Sequence, residues 1–185
     1  MSESTAAATR KEPGMAMLVI VLLVICLVTS LLLGLANAVT APAILANETA
    51  KREAAMAAVL AADSYTPVEY TGSDSSISGV YQAGDLGYVV EVNCVGSFSG
   101  TLSIMVGVDA SGAITGVEVV QNAETSGLGA NVNKAAWREQ FKGQTGKLAV
   151  TKDGGTINAI TGATVTSRSV SNGVNSAMAA AASMG

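Results

Sequence analysis

From Gly14 to Asn47 the chain carries no charged side chain, and Met15 to Leu35 is dominated by Leu, Val, Ile and Met. A helix needs about 20 apolar residues to cross a bilayer, and this run meets that length. It sets the first division of the chain. Residues 1–14 read as a polar stub, 15–40 as a transmembrane helix, 41–66 as a helical stalk and 67–185 as a folded domain with its own core. Pro42 is expected to interrupt the helix near its outer end, since proline lacks the N–H that an interior position donates. Asn47 reads as the N-cap of the stalk helix, with Glu48 and Arg52 spaced as an i,i+4 pair and Met56, Val59 and Leu60 as its apolar stripe.

Two other uses of such a run compete. A cleaved signal peptide has an apolar stretch of about 7–15 residues; this one is longer, although Ala36-Asn37-Ala38 has the small-x-small pattern of a cleavage site. A pilin-like leader is faintly suggested by Lys11 to Met15, but Val19 stands where pilins carry a glutamate. An uncleaved anchor is the expectation. Arg10 and Lys11 lie just before the span, while Lys51 and Arg52 come later with Glu48 and Glu53 beside them. The positive-inside rule then puts the N-terminus in the cytoplasm and the C-terminal domain outside the cell membrane, crossed once.

Charge and residue types exclude several functions. Of 10 Lys and Arg, two precede the span, and of 14 Asp and Glu two do, so the remainder carries about −4. That sign argues against nucleic acid or anionic lipid as partner. The chain has no histidine and only two cysteines, Cys26 in the span and Cys94 beyond it. Histidine metal sites, histidine acid–base catalysis and four-cysteine clusters are ruled out within this chain. No metal-ligating or catalytic residue is assigned.

Strand signals begin after a turn-rich stretch, Thr66 to Gly87. Residues 88–95 alternate, Leu102 to Val108 has strict period two, and Asp109 to Gly112 is a turn leading to a return strand, Ala113 to Val120. A loop, 121–131, precedes a short helix with Trp137 and Phe141 as core anchors. Lys134, Arg138 and Lys142 read as its solvated face. Short strands are expected at 148–150 and 156–160, and a last helix at 167–184. Strands and helices that do not alternate regularly suggest an α+β domain with an antiparallel sheet and flanking helices.

Two segments could carry chemistry. Thr161-Gly162-Ala163-Thr164-Val165-Thr166-Ser167 stands before the last helix, rich in hydroxyls and free of bulk. With no histidine to activate it, Thr164 is a poor nucleophile of its own accord. As acceptor of a group delivered by another enzyme it needs only exposure and a tolerant backbone. An anion attached there would meet the unpaired N–H groups of a helix start. Equally, Thr and Ser before a helix are ordinary N-caps. The second segment is Glu124-Thr125-Ser126-Gly127-Leu128-Gly129, where Glu124 reads as a ligand contact or as a solvated loop carboxylate, and the glycines as close-approach or turn positions. Arg168 is either a phosphate partner or a surface charge. Cys94 reads as a buried small residue.

The order of these pieces resembles the FMN-binding domain shared by the G subunit of Rnf complexes and the C subunit of the sodium-pumping NADH:quinone reductase. In that family a hairpin leads to an E-T-P-G-L-G loop, a Trp/Phe helix, an [S/T]-G-A-T-x-[S/T] motif and a last helix. The resemblance covers roughly residues 85–185, and the chain's length suits the Rnf protein better. Ser126 replaces the family's proline, and Asn158 stands where many members have Asp. The resemblance implies covalent FMN on Thr164 through a phosphoester, attached by a separate Mg-dependent flavin transferase using FAD. Thr161, Gly162, Ala163, Thr166 and Ser167 would surround the link, with Glu124, Thr125, Gly127, Leu128 and Gly129 near the ring. It further implies an electron-carrying subunit of an ion-translocating ferredoxin:NAD oxidoreductase, a translocase, assembled with other membrane and peripheral subunits. A stand-alone exported flavoprotein and a non-redox anchored surface protein are the competing readings.

Overall fold

A computed structural model of the protein describes residues 14–184. All but Gly14 of the expected N-terminal stub lies outside the described residues. Helix α1 runs unbroken from Met15 to Val59. The expected interruption at Pro42 does not occur. Its missing N–H removes one bond, to the carbonyl four residues earlier, and the rest of this long helix keeps its ladder. Asn47 accordingly lies mid-helix and caps nothing. The chain separates into two units, residues 1–48 and 49–185. In the first, the large apolar side chains from Met15 to Leu45 are exposed. The helix is long and apolar enough to cross a membrane.

The second unit is built on a five-stranded antiparallel sheet in the order β1-β2-β3-β4-β5. Its strands are Thr66–Val68, Ile77–Gln82, Gly87–Asn93, Leu102–Asp109 and Ile114–Asn122. The first two fall in the stretch read as turns. That reading is corrected: Ser78 and Gly79 give β2 a weak pattern, but backbone pairing to β3 asks little of side chains. Pro67 fits because β1 is an edge strand. The β4–β5 hairpin turns at Asp109–Gly112 as expected, with Asp109 Oδ1 accepting the Ser111 amide and hydroxyl and the Ala113 amide. Those bonds hold the Asp109 carboxyl below its ordinary pKa, the Ser111 hydroxyl first among them.

Helix α3, Thr164–Ala182, covers one face of the sheet. It is longer than the sequence suggested, starting three residues before Ser167. Val170, Val174, Ala177 and Ala181 on α3 join Val90, Val92, Ile104 and Val106 on the sheet, closed by Phe141, Leu148 and Ile157. The segments around Leu148 and Ile157 are not strands. They meet through a single parallel bridge, Val150 with Ile157. Helix α2 is short, Ala135–Arg138, and passes into a 3₁₀ turn ending at Phe141.

The other face is covered by the last turns of α1. Ala55, Met56 and Val59 pack on Val89 and Met105. This double cover explains why neighbours Val89 and Val90 are both fully buried. The helix end approaches at backbone distance because Gly107 and Gly116 lie beneath it. A Cβ on Gly107 would stand 2.6 Å from the Val59 carbonyl oxygen, and Thr115 donates its hydroxyl to that same oxygen. Arg52 pairs with the buried Glu91 at 3.5 Å. Gly107→Ala is expected to cost about 1–3 kcal/mol, the usual penalty of overpacking, read as a lower urea midpoint. An unchanged midpoint would show that the helix end does not sit there.

Candidate functional site

The start of α3 is made by a tight turn. Gly162 takes φ +77°, in the left-handed region that favours glycine, and the Ala163 amide donates to the Ile160 carbonyl. The N-cap position is Ala163, which has no side-chain acceptor. Only Ser167 serves the turn: its hydroxyl donates to the Ala163 carbonyl and accepts the Ile160 amide, each at 2.9 Å. Ser167 is therefore wholly buried. Thr161 is exposed, and Thr164, the first residue of the helix, is half-buried. The Lys152 ammonium donates to the Thr164 hydroxyl at 3.4 Å.

The two segments singled out in the sequence meet here. Thr166 donates its hydroxyl to Glu124 Oε2 at 2.6 Å, and both residues are buried. Glu124 Oε1 accepts the Ser99 amide and hydroxyl, both at 2.8 Å. Burial pushes the Glu124 carboxyl up, but the Thr166 hydroxyl and the Ser99 donors outweigh it and hold the pKa below the ordinary glutamate value. Glu124 is thus a charged, bonded strut between the β3–β4 turn and α3, not a solvated loop carboxylate.

Beside this strut lies a cleft of about 370 Å³. Glu124, Thr125, Leu128 and Gly129 line it from one segment and Gly162 to Thr166 from the other, joined by Phe98 and Lys152. Thr161, Gly127 and Ser167 stand outside the lining. Five large apolar side chains outside α1 are exposed among the described residues, namely Leu86, Val95, Phe98, Leu128 and Val165. Three of them line this cleft, a concentration expected of a site for a flat apolar ring rather than of an ordinary surface.

Gly129 keeps the cleft open. A Cβ there would collide with Glu124 Oε2 and stand 2.9 Å from both Glu124 Cβ and Thr166 Oγ1. The carboxylate cannot swing aside without losing its bonds. Gly129→Ala is expected to cost about 2 kcal/mol by overpacking and to lower the urea midpoint. Gly127→Ala meets open space and only the strain of φ +77°, about 1 kcal/mol. Equal losses at the two positions would count against the strut.

Other expectations need correction or sharpening. Arg138 does not share a solvated face with Lys134 and Lys142. It is buried, pairs with Glu118 at 2.7 Å and donates to the Asn133 carbonyl. The four-residue α2 is too short to carry an i,i+4 stripe, so Arg138 turns to the sheet. Arg168 is held by Asp153 in a two-point ion pair rather than aimed at Thr164. Burial, then the nearby Glu124 charge, pushes the Cys94 thiol up to about 12, which leaves it an inert core group. Trp137 donates its indole N–H to the Asn158 carbonyl, and Gln140 accepts the Asn158 amide. The Asn158 backbone is thus fixed three residues before the motif, in an exposed position. Phe98, Ser99 and Lys152 escaped the sequence reading. The one available signal was an aromatic residue inside the Ser/Gly-rich turn 95–101.

Residues 97–179 match the FMN-binding domain family. That span runs from the β3–β4 turn into α3 and takes in the whole cleft, so this part of the chain is similar to FMN-binding domains. The chain is 37% identical over 97 residues to the G subunit of the Na⁺-translocating ferredoxin:NAD⁺ oxidoreductase complex of Acetobacterium woodii, covering 49% of this chain and 46% of that one. It is 37% identical over 111 residues to the G subunit of the ion-translocating oxidoreductase complex of Methanosarcina acetivorans, covering 59% and 55%. The corresponding protein of Pseudomonas aeruginosa is 37% identical over 98 residues, covering 49% and 46%. The chain thus spans about half the length of the curated relatives it matches.

Proposed function

We propose that this chain is the flavin-carrying G subunit of an ion-translocating ferredoxin:NAD oxidoreductase, with FMN joined to Thr164 by a phosphoester. The observation that carries this reading is a reachable hydroxyl on the first residue of α3, opening into a cleft with an apolar rim. When bound, FMN supplies reversible electron uptake and release; the protein supplies its position and electrostatics.

The residues present suit that group. The first N–H groups of α3 lack helical acceptors and favour an anion. Lys152 adds a positive charge beside Thr164 Oγ1. Leu128 and Val165 offer apolar surface to a ring, and Thr125 a polar edge. In maturation the Thr164 oxygen would take the FMN phosphoryl group from FAD. The bond between the two phosphates breaks, AMP leaves, and the hydroxyl proton passes to the flavin transferase. The fixed backbone at Asn158 would present that enzyme with its recognition segment.

The apolar part of α1 would anchor the domain, with the N-terminus cytoplasmic and the flavin outside. No acidic residue lies between Met15 and Asn47, so the coupling ion would cross through other subunits. The test is the full chain expressed in membranes with and without a flavin transferase, separated on a denaturing gel and viewed under ultraviolet light. A fluorescent band that requires the transferase supports the reading. Its absence, with the protein present, overturns covalent attachment.

A further inference from the structure

The chain has two phenylalanines, treated oppositely by the fold. Phe141 is completely buried, whereas Phe98 is 75% exposed on the rim of the cleft. An exposed phenylalanine on a floppy loop would need no explanation. This loop is tied down at three points. Ser169 of α3 donates to the Val95 carbonyl at 2.9 Å. Glu124 takes both Ser99 donors. The Ala123 amide donates to the Thr101 carbonyl at 2.9 Å. All three ties lead to α3 or to the residues just past β5. The Glu124 tie is made by a carboxylate that is more than nine-tenths buried.

We infer that Phe98 is a wall of the flavin site, stacking on the isoalloxazine ring, and that Glu124 is the positioning residue that holds it there. The inference rests on the proposal that FMN is attached at Thr164. Three observations carry it. Phe98 and Thr164 line the same cleft, so a ring tethered through a phosphate and a ribityl chain can reach the phenyl group. Two further exposed apolar side chains, Leu128 and Val165, line the same cleft. The one carboxylate among the residues lining the cleft, Glu124, is already committed to Thr166 and Ser99, which leaves stacking and apolar contact as the main hold on the ring. A ring held against fixed apolar side chains loses little freedom on binding. It is also shielded from water, which disfavours a negatively charged reduced flavin and lowers the potential.

The test uses the full chain, flavinylated in membranes and solubilised in detergent. Phe98→Trp places an electron-rich indole where the phenyl stands, and indole in contact with a flavin quenches its emission. The expected result is a severalfold loss of native flavin fluorescence against wild type, restored when the protein is denatured. Leu86→Trp, at the β2–β3 turn on the other end of β3, is expected to leave emission unchanged. Phe98→Ser is expected to keep the gel band and raise the flavin potential by admitting water. Adding Glu124→Gln to Phe98→Trp is expected to return part of the emission by loosening the loop. Native emission of Phe98→Trp equal to wild type, with an equal band on the denaturing gel, overturns the inference and leaves the attachment proposal standing. Absence of the band in wild type would instead strike the attachment proposal itself.

Discussion

Thr164→Ala is expected to abolish covalent flavin completely while leaving the fold intact. The two halves of that expectation have separate grounds. A phosphoester needs the hydroxyl oxygen, and no other hydroxyl of the segment Thr161–Ser167 can take its place. Thr166 is buried and spends its proton on Glu124. Ser167 is buried in the turn beneath the helix. Thr161 is exposed but lies outside the cleft. The fold survives because Thr164 is a first-turn residue whose side chain bonds only to the exposed Lys152 at 3.4 Å, and alanine is a better helix former by about 0.5 kcal/mol. Thr164→Ser keeps an acceptor oxygen and is expected to retain a fluorescent band. Thr161→Ala is expected to match wild type. Intact mass gives the same answer without relying on emission. A band that persists in Thr164→Ala, or disappears in Thr161→Ala, places the attachment elsewhere.

The parts of this molecule that the sequence shows plainly are those whose physics is local. The long apolar helix is visible because charge is absent from Gly14 to Asn47. The β4–β5 hairpin is visible because period two and an Asp/Gly turn coincide. The two site segments stand out because glycine and hydroxyl residues gather where neither a core nor a charged surface would use them. The parts that stay hidden depend on tertiary contact. β1 and β2 form because β3 offers a paired edge, not because Ser78 or Gly79 prefer strands. The last turns of α1 cover the sheet because Gly107 and Gly116 open space for Val59, and small residues give no periodic signal of that. Phe98 and Lys152 reach the cleft from a turn and a 3₁₀ segment far apart in sequence. Each is a single residue in a polar stretch, so no spacing marks it. The adjacent valines Val89 and Val90 did carry a hint, since a strand with one wet face would not bury both.

Glu124→Ala is expected to be the most destabilising single change at the site, by about 3 kcal/mol. Hydrogen bonds to charged groups contribute about 1.5–3 kcal/mol each, and a buried donor left alone costs about 1–3. Glu124 accepts three such bonds, and Thr166, whose hydroxyl it leaves behind, is only 2% exposed. Solvent can repair the partly exposed Ser99 donors, so the total stays well below the sum. Urea unfolding gives the size of the loss. Glu124→Gln, which keeps the shape and one acceptor oxygen, isolates the charge. Because the folded carboxyl has a pKa below the ordinary 4.5, its contribution is fully present above that value. It is lost as pH falls through the folded pKa. The gap in stability between wild type and Glu124→Gln should therefore hold at neutral pH and narrow in acid. Asp74, Asp109 and Asp153 are also depressed, but both proteins carry them, so they cancel in the difference. A gap that stays constant down to about pH 3 would mean that the strut works by shape alone. A gap that closes in acid means that a charge, buried in the cleft that Thr164 lines, holds the turn bearing Phe98 against the helix bearing Thr164.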